Sequence, residues 1–158
     1  MAVNRERPHL MVLPEDDATR SLAVGFVDVT SGQMQVLNPA RGWPHVLQEF
    51  TDSEVNILRK YKERHLVLLI DFDNDFPTRM PWFKSKIPLD IADRVYVLGA
   101  FGEAEDLKKQ TGKKLGPLGQ MLAKECEEGT VELWMHGQLQ HNQDEVQRLK
   151  ENVKHFLF

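Results

Sequence analysis

The sequence predicts an α/β fold: a Rossmann-like, mainly parallel sheet of four to five strands with helices on both faces. Three observations carry this prediction. Short apolar runs alternate along the chain with segments whose apolar residues recur at helical spacing, the order that builds βαβ units. Two of the runs, Leu66-Val-Leu-Leu-Ile70 and Val95-Tyr-Val-Leu98, have no polar face to offer solvent, as expected of strands covered on both sides. Finally, 158 residues with 41% hydrophobic and 28% charged side chains suit one soluble core, so residues 1–158 are read as a single domain.

The first apolar run is His9-Leu-Met-Val-Leu13, followed by Pro14, and it reads as a strand. Ala18, Leu22, Ala23 and Phe26 then recur at helical spacing, with Asp16 and Asp17 in the turn where an aspartate caps a helix. Gln33–Leu37 alternates polar with apolar residues after Ser31-Gly32, a half-buried or edge strand that Pro39 and Gly42 end. Val46, Leu47, Phe50, Ile57, Leu58 and Tyr61 describe one broken helix or two short ones, with Thr51-Asp-Ser-Glu54 matching a capping box between them. Leu66–Ile70 is the expected central strand. Asp71 to Pro88 is an irregular, acidic and proline-containing segment, long enough to be either partly structured or a functional loop, anchored by Trp82 and Phe83. After Val95–Leu98 come a short helix over Glu103–Lys109 and a longer one with the stripe Leu115, Leu118, Leu122 and Cys126. Val131–Trp134 is a candidate fifth strand, and the last helix starts near Asp144 with Val146, Leu149, Val153 and Phe156 on one face.

Composition excludes several classes. No apolar run approaches the roughly 20 residues of a membrane span, and Met1–Pro8 lacks the apolar stretch of a secretory signal, so the expected location is cytoplasmic and no membrane partner is expected. The one cysteine, Cys126, has no partner for a disulfide and reads as a small buried hydrophobe. A formal charge of −4 argues against wrapping nucleic acid by bulk positive charge. Two basic clusters, Arg59, Lys60, Lys62 and Arg64, and Lys108, Lys109, Lys113 and Lys114, read as solvated helix ends that also offer local patches. No dinucleotide, P-loop, nucleophile-elbow or zincin motif is present, and His136 and His141 lack the cysteine or acidic support of a zinc site. Trp43, Trp82 and Trp134 read as packing residues.

The chemistry is expected at strand ends, because open parallel sheets bind ligands beyond the carboxyl ends of their strands. Glu15 follows the first strand, and Asp71, Asp73 and Asp75 follow the most hydrophobic one. Carboxylates gathered in one crevice repel one another unless a cation offsets them, and oxygen ligands point to Mg²⁺, Mn²⁺ or Ca²⁺. An EF-hand loop is excluded, since counting from Asp71 puts Phe76 where glycine is required and Trp82 where glutamate is required.

The order of apolar strand, Glu15, helix and later Leu68-Leu-Ile-Asp71-Phe-Asp73 resembles the TOPRIM fold shared by topoisomerases, bacterial primases and OLD-type nucleases. The resemblance covers about the first 110 positions. It implies Mg²⁺ (or Mn²⁺) held by Glu15, Asp71 and Asp73, with Glu15 as ligand or general base, and a nuclease-like phosphodiesterase activity on DNA or RNA. Asp75 is a secondary candidate. Gly102-Glu-Ala-Glu105-Asp106 resembles an acidic patch of small standalone TOPRIM-like proteins, which makes Glu103 and Glu105 candidates for a second metal. Asp16 stands where that family has glycine, and Thr19 where its nucleases often have a further acid. Topoisomerase and primase activities would each need further domains.

Two other readings stand beside this one. Pro14-Glu-Asp-Asp17 with Asp71 also resembles a receiver domain, in which Asp16 and Asp17 hold Mg²⁺ and Asp71 accepts a phosphoryl group; the Ser or Thr and the Lys-Pro expected after later strands are missing. In the third, the chain is a non-catalytic interaction module in a larger complex, for example with an ATPase.

Overall fold

In the computed structural model, which describes residues 2–158, the alternation resolves into β1 (His9–Pro14), α1 (Asp17–Val27), β2 (Met34–Val36), α2 (Trp43–Glu49), a π-helical turn (Phe50–Glu54) and α3 (Val55–Lys60). There follow β3 (Arg64–Leu69), α4 (Phe76–Ser85), a 3-10 turn (Ala92–Arg94), β4 (Val95–Leu98), α5 (Ala104–Thr111), α6 (Leu115–Glu128), a second 3-10 turn (Gln140–Asn142), α7 (Gln143–Asn152) and α8 (Lys154–Leu157). The strands form one open, parallel sheet in the order β2-β1-β3-β4, with Val12 opposite Val36 on one side and Val67 on the other. The fold is the expected Rossmann-like one, with helices on both faces.

The two-residue period of a strand divides the apolar side chains between two cores. Leu10, Val12, Val67, Leu69, Tyr96 and Leu98 face α1, α5, α6, α7 and α8. Met11, Leu13, Leu66, Leu68, Val95 and Val97 face α2, α3 and α4. On the first face α1 and α6 approach unusually closely: a Cβ on Gly25 would lie 2.0 Å from the carbonyl oxygen of Gly116, and one on Gly119 would lie 2.0 Å from that of Leu22. Only glycine fits at either contact.

Chain order dictates where a ligand site belongs. From β1 the chain moves to β2 on one side, then crosses back to β3 on the other, so the connections leaving β1 and β3 diverge. Their carboxyl ends border the crevice of a topological switch point.

Two expectations are corrected and one open choice is resolved. Val131–Trp134 is a turn, not a fifth strand, because the Glu125 carboxylate accepts the N–H groups of Leu133 (2.8 Å) and Trp134 (3.2 Å) that a ladder would need. Of the two readings left open for Asp71 to Pro88, the partly structured one holds: α4 occupies most of it, with Pro77 in the first turn, where the missing N–H costs no helical bond, and Phe83 fully buried. Thr51–Glu54 caps nothing. The π-helical turn joins α2 to α3, and Glu54 turns inward to pair with buried Arg64 at 3.0 Å. Among the described residues no helix is long and apolar enough to cross a membrane.

Candidate metal centre

Glu15 is the first residue beyond β1 and Asp71 the second beyond β3, and the two strands are paired along their whole length from His9 with Arg64 to Pro14 with Leu69. Pairing fixes the two acids side by side. The Asp71 N–H donates to Glu15 Oε1 at 3.2 Å, and the Glu15 N–H continues the ladder to the Leu69 carbonyl at 2.9 Å. The carbonyl of Glu15 is held in turn by the N–H groups of Arg41 (2.8 Å) and Gly42 (3.2 Å), which ties the loop before α2 to the site.

Asp16 completes the cluster. It caps α1, its Oδ1 accepting the Thr19 N–H at 2.9 Å while Thr19 Oγ1 accepts the Asp16 N–H at 3.0 Å. Capping fixes the carboxylate toward Glu15 and Asp71, and one oxygen from each of the three lies within 4.8 Å of the others. Asp71 Oδ1 accepts the N–H of Ala104, the first residue of α5, at 2.9 Å. Each acid therefore spends one oxygen on a backbone N–H that orients it and leaves the other without a protein donor among the described residues. Three oriented, hard oxygen donors with open coordination positions fit a divalent cation such as Mg²⁺ or Mn²⁺, which retains waters in its remaining positions.

Electrostatics favour such a cation. Burial, reinforced by the charges of Asp16 and Asp73, pushes Glu15 up to about 7. Burial likewise pushes Asp71 up to about 8, against the opposing hydrogen bond from Ala104 and with added repulsion from Asp16 and Glu15. A cation in the crevice would lower both again by favouring the ionised forms.

The other sequence candidates lie around this group. Asp73 and Asn74 adopt left-handed backbone angles (φ 50° and 62°), which Asp and Asn tolerate better than most residues, and the turn carries Asp73 outward. There Asp73 Oδ2 pairs with Arg79 Nη1 at 2.8 Å. Asp75 is exposed at the start of α4, and Glu103 is exposed at the start of α5, its N–H donating to Asp106 Oδ2 at 2.9 Å. Glu105 faces Lys108 at 4.0 Å. None of these four contributes to the three-carboxylate group.

Two contributors were not singled out for the leading reading. Asp16 entered the sequence analysis as a helix cap and as a receiver-type ligand; here one carboxylate both caps and faces the cluster. Arg79 belongs to neither basic cluster. Its Nη1 donates to the Asp71 carbonyl at 3.0 Å as well as to Asp73, and its guanidinium lies 4.4 Å from the centre of the Trp43 ring. A helix in the Asp71–Pro88 segment was the missing signal, since only α4 folds Arg79 back over the strand end. Two arginines of the first basic cluster are engaged elsewhere: Arg64 with Glu54, and Arg59 with Asp90 at 2.9 Å.

Comparison with protein-family models, with curated proteins and with solved structures finds no match to this chain.

Proposed function

We propose that this chain is a TOPRIM-like, Mg²⁺- or Mn²⁺-dependent phosphodiesterase acting on nucleic acid. The observation that carries the reading is the junction of Glu15, Asp16 and Asp71 at the switch point between β1 and β3, each with one oxygen oriented and one free. In this reading Glu15, Asp16 and Asp71 hold the cation, and Asp73 serves it indirectly through Arg79. Bound there, the ion would supply positive charge to the scissile phosphate and lower the pKa of a coordinated water. Glu15, which burial raises to about 7 without the cation, would be held ionised by it, the form that a ligand requires. Arg79 offers a planar guanidinium, immobilised by the Asp71 carbonyl, Asp73 and Trp43, to balance phosphate charge. Such fixed charge favours a transition state without waiting for groups to reorganise.

The test is cleavage of plasmid DNA, and of single-stranded DNA and RNA, with Mg²⁺ or Mn²⁺. Asp71→Asn keeps an acceptor for the Ala104 N–H and removes only charge, so it isolates the metal-binding role. Glu15→Gln and Asp71→Asn should each lower cleavage about 100-fold or more while remaining folded, the scale of a lost catalytic base or ligand. Equal activity of wild type and both variants would mean that another protein or another site does the cutting.

One observation favours a second reading. Asp16 rather than Asp73 shares the cluster with Asp71, as the receiver-like account requires, although Asp17 is exposed and pairs with Arg41 at 3.1 Å. Incubation with acetyl phosphate and Mg²⁺ separates the two: a phosphoryl group on Asp71 would select the receiver.

A further inference from the structure

Arg79, Trp82 and Lys86 recur along α4 at spacings of three and four residues, so helical geometry sets them on one stripe, with Lys86 closing the helix. At 1.5 Å per residue the stripe is about 10 Å long. It runs from the strand end, where Arg79 donates to the Asp71 carbonyl at 3.0 Å, to the far end of α4. Phe83 turns away from it into the core and is fully buried.

Trp82 is expected from the sequence to pack, and it does so with only part of its surface. Its ring stands nearly perpendicular to the rings of Trp43 and Phe83, each 5.4 Å away between centroids, yet the residue remains 38% exposed. Two perpendicular neighbours fix the tilt of the ring without burying it. Trp43 is anchored in turn: it follows Gly42, whose N–H donates to the Glu15 carbonyl at 3.2 Å, and the Arg79 guanidinium lies 4.4 Å from its ring centre. A continuous set of contacts thus joins Trp82 to the carboxylate cluster.

Charge completes the stripe. Lys86 is exposed, its ammonium lies 5.5 Å from the centre of the Trp82 ring, and it has no carboxylate within ion-pair distance among the described residues. A fixed aromatic ring between a guanidinium and a free ammonium matches a nucleic-acid strand, in which each base lies between two phosphates. In a duplex the base faces cover one another, so only an unpaired base has a face to offer Trp82.

We propose that Trp82 is the stacking platform for an unpaired base of single-stranded nucleic acid, with Lys86 and Arg79 serving the phosphates on either side of that base. The identity of the ligand rests on the phosphodiesterase reading, which the proposal deepens: a single strand is the substrate, and it reaches the carboxylates along α4.

Fluorescence anisotropy of a labelled oligothymidylate, titrated with the whole chain in EDTA, tests this. The single strand should bind about tenfold or more tighter than the same oligonucleotide annealed to oligoadenylate. Trp82→Ala should weaken single-strand binding about tenfold, the scale of one lost stacking contact, whereas Trp82→Tyr keeps a ring and should stay within about threefold of wild type. Lys86→Gln, which leaves the aromatic packing untouched, should lower the slope of log affinity against log salt by about 0.7, as one lost phosphate contact requires. Binding indifferent to Trp82→Ala, a preference for the duplex, or no binding of the oligonucleotide overturns the proposal, the last leaving the stripe to a protein partner. Because EDTA removes the cation, the assay reads the stripe alone. Stacking without metal-dependent cleavage would remove only the phosphodiesterase reading, and cleavage with binding indifferent to Trp82→Ala would remove only this proposal.

Discussion

Glu15 and Asp71 owe their character to position more than to identity. Both follow strands buried on two faces, so both lose water, and each sits within reach of other carboxylates. Their folded-state values, about 7 and about 8, lie above the ordinary values of 4.5 and 3.8. The folded protein therefore holds more protons than the unfolded chain between roughly pH 4 and pH 8, and the sign of linkage is fixed: stability falls as pH rises through that window. In metal-free buffer, urea unfolding should show a decline from pH 5 to pH 8.5 that Asp71→Asn reduces and that Mg²⁺ reverses in the wild type only. A flat profile would show that the two carboxyls titrate normally. Glu15, Asp71 and Asp73 were legible in the sequence because acids at the ends of apolar runs have few structural reasons to be there. The exclusion of Asp73 from the cluster was not legible, since it depends on a positive-φ turn and on Arg79 arriving from a helix that prolines disguised.

At the scale of elements, apolar runs located the strands to within two residues or so, because a doubly covered strand admits no polar face. Where local polar groups decide the backbone, the same pattern failed. Val131–Trp134 has strand-like residues, but Glu125, in the last turn of α6, takes the N–H groups of Leu133 and Trp134. Thr51–Glu54 has a cap-like sequence, yet the π-helical turn redirects Glu54 to Arg64, which is 1% exposed and has no other side-chain partner. Removing one member of such a pair leaves the other charged and dry. Glu54→Ala should cost about 3–5 kcal/mol in chemical unfolding, whereas an exposed pair such as Arg59 with Asp90 should contribute under about 1 kcal/mol. Equal effects from Glu54→Ala and Asp90→Ala would place Arg64 in contact with water.

For the molecule as a whole, chain order does what no single residue does. The sequence of strands and helices implied a parallel sheet, and the order β2-β1-β3-β4 makes β1 and β3 neighbours with diverging connections. That adjacency, inferred from fold class alone, turns two acids 56 residues apart into hydrogen-bonded partners. The reach of α4 over the strand end and the capping of α1 supply the remaining charges, so the site is assembled by elements on both faces of the sheet.

The central claim is that Glu15, Asp16 and Asp71 form one cation site. Calorimetric titration of Mg²⁺ and Mn²⁺ into the wild type and into Asp71→Asn, at pH 6.5 and pH 8.5, tests it most directly. Because binding must displace protons from groups that titrate near 7 and 8, the account predicts one site, at least tenfold tighter at the higher pH, with protons released and with binding lost in the variant. Absence of binding at pH 8.5, or equal binding by Asp71→Asn, would contradict it.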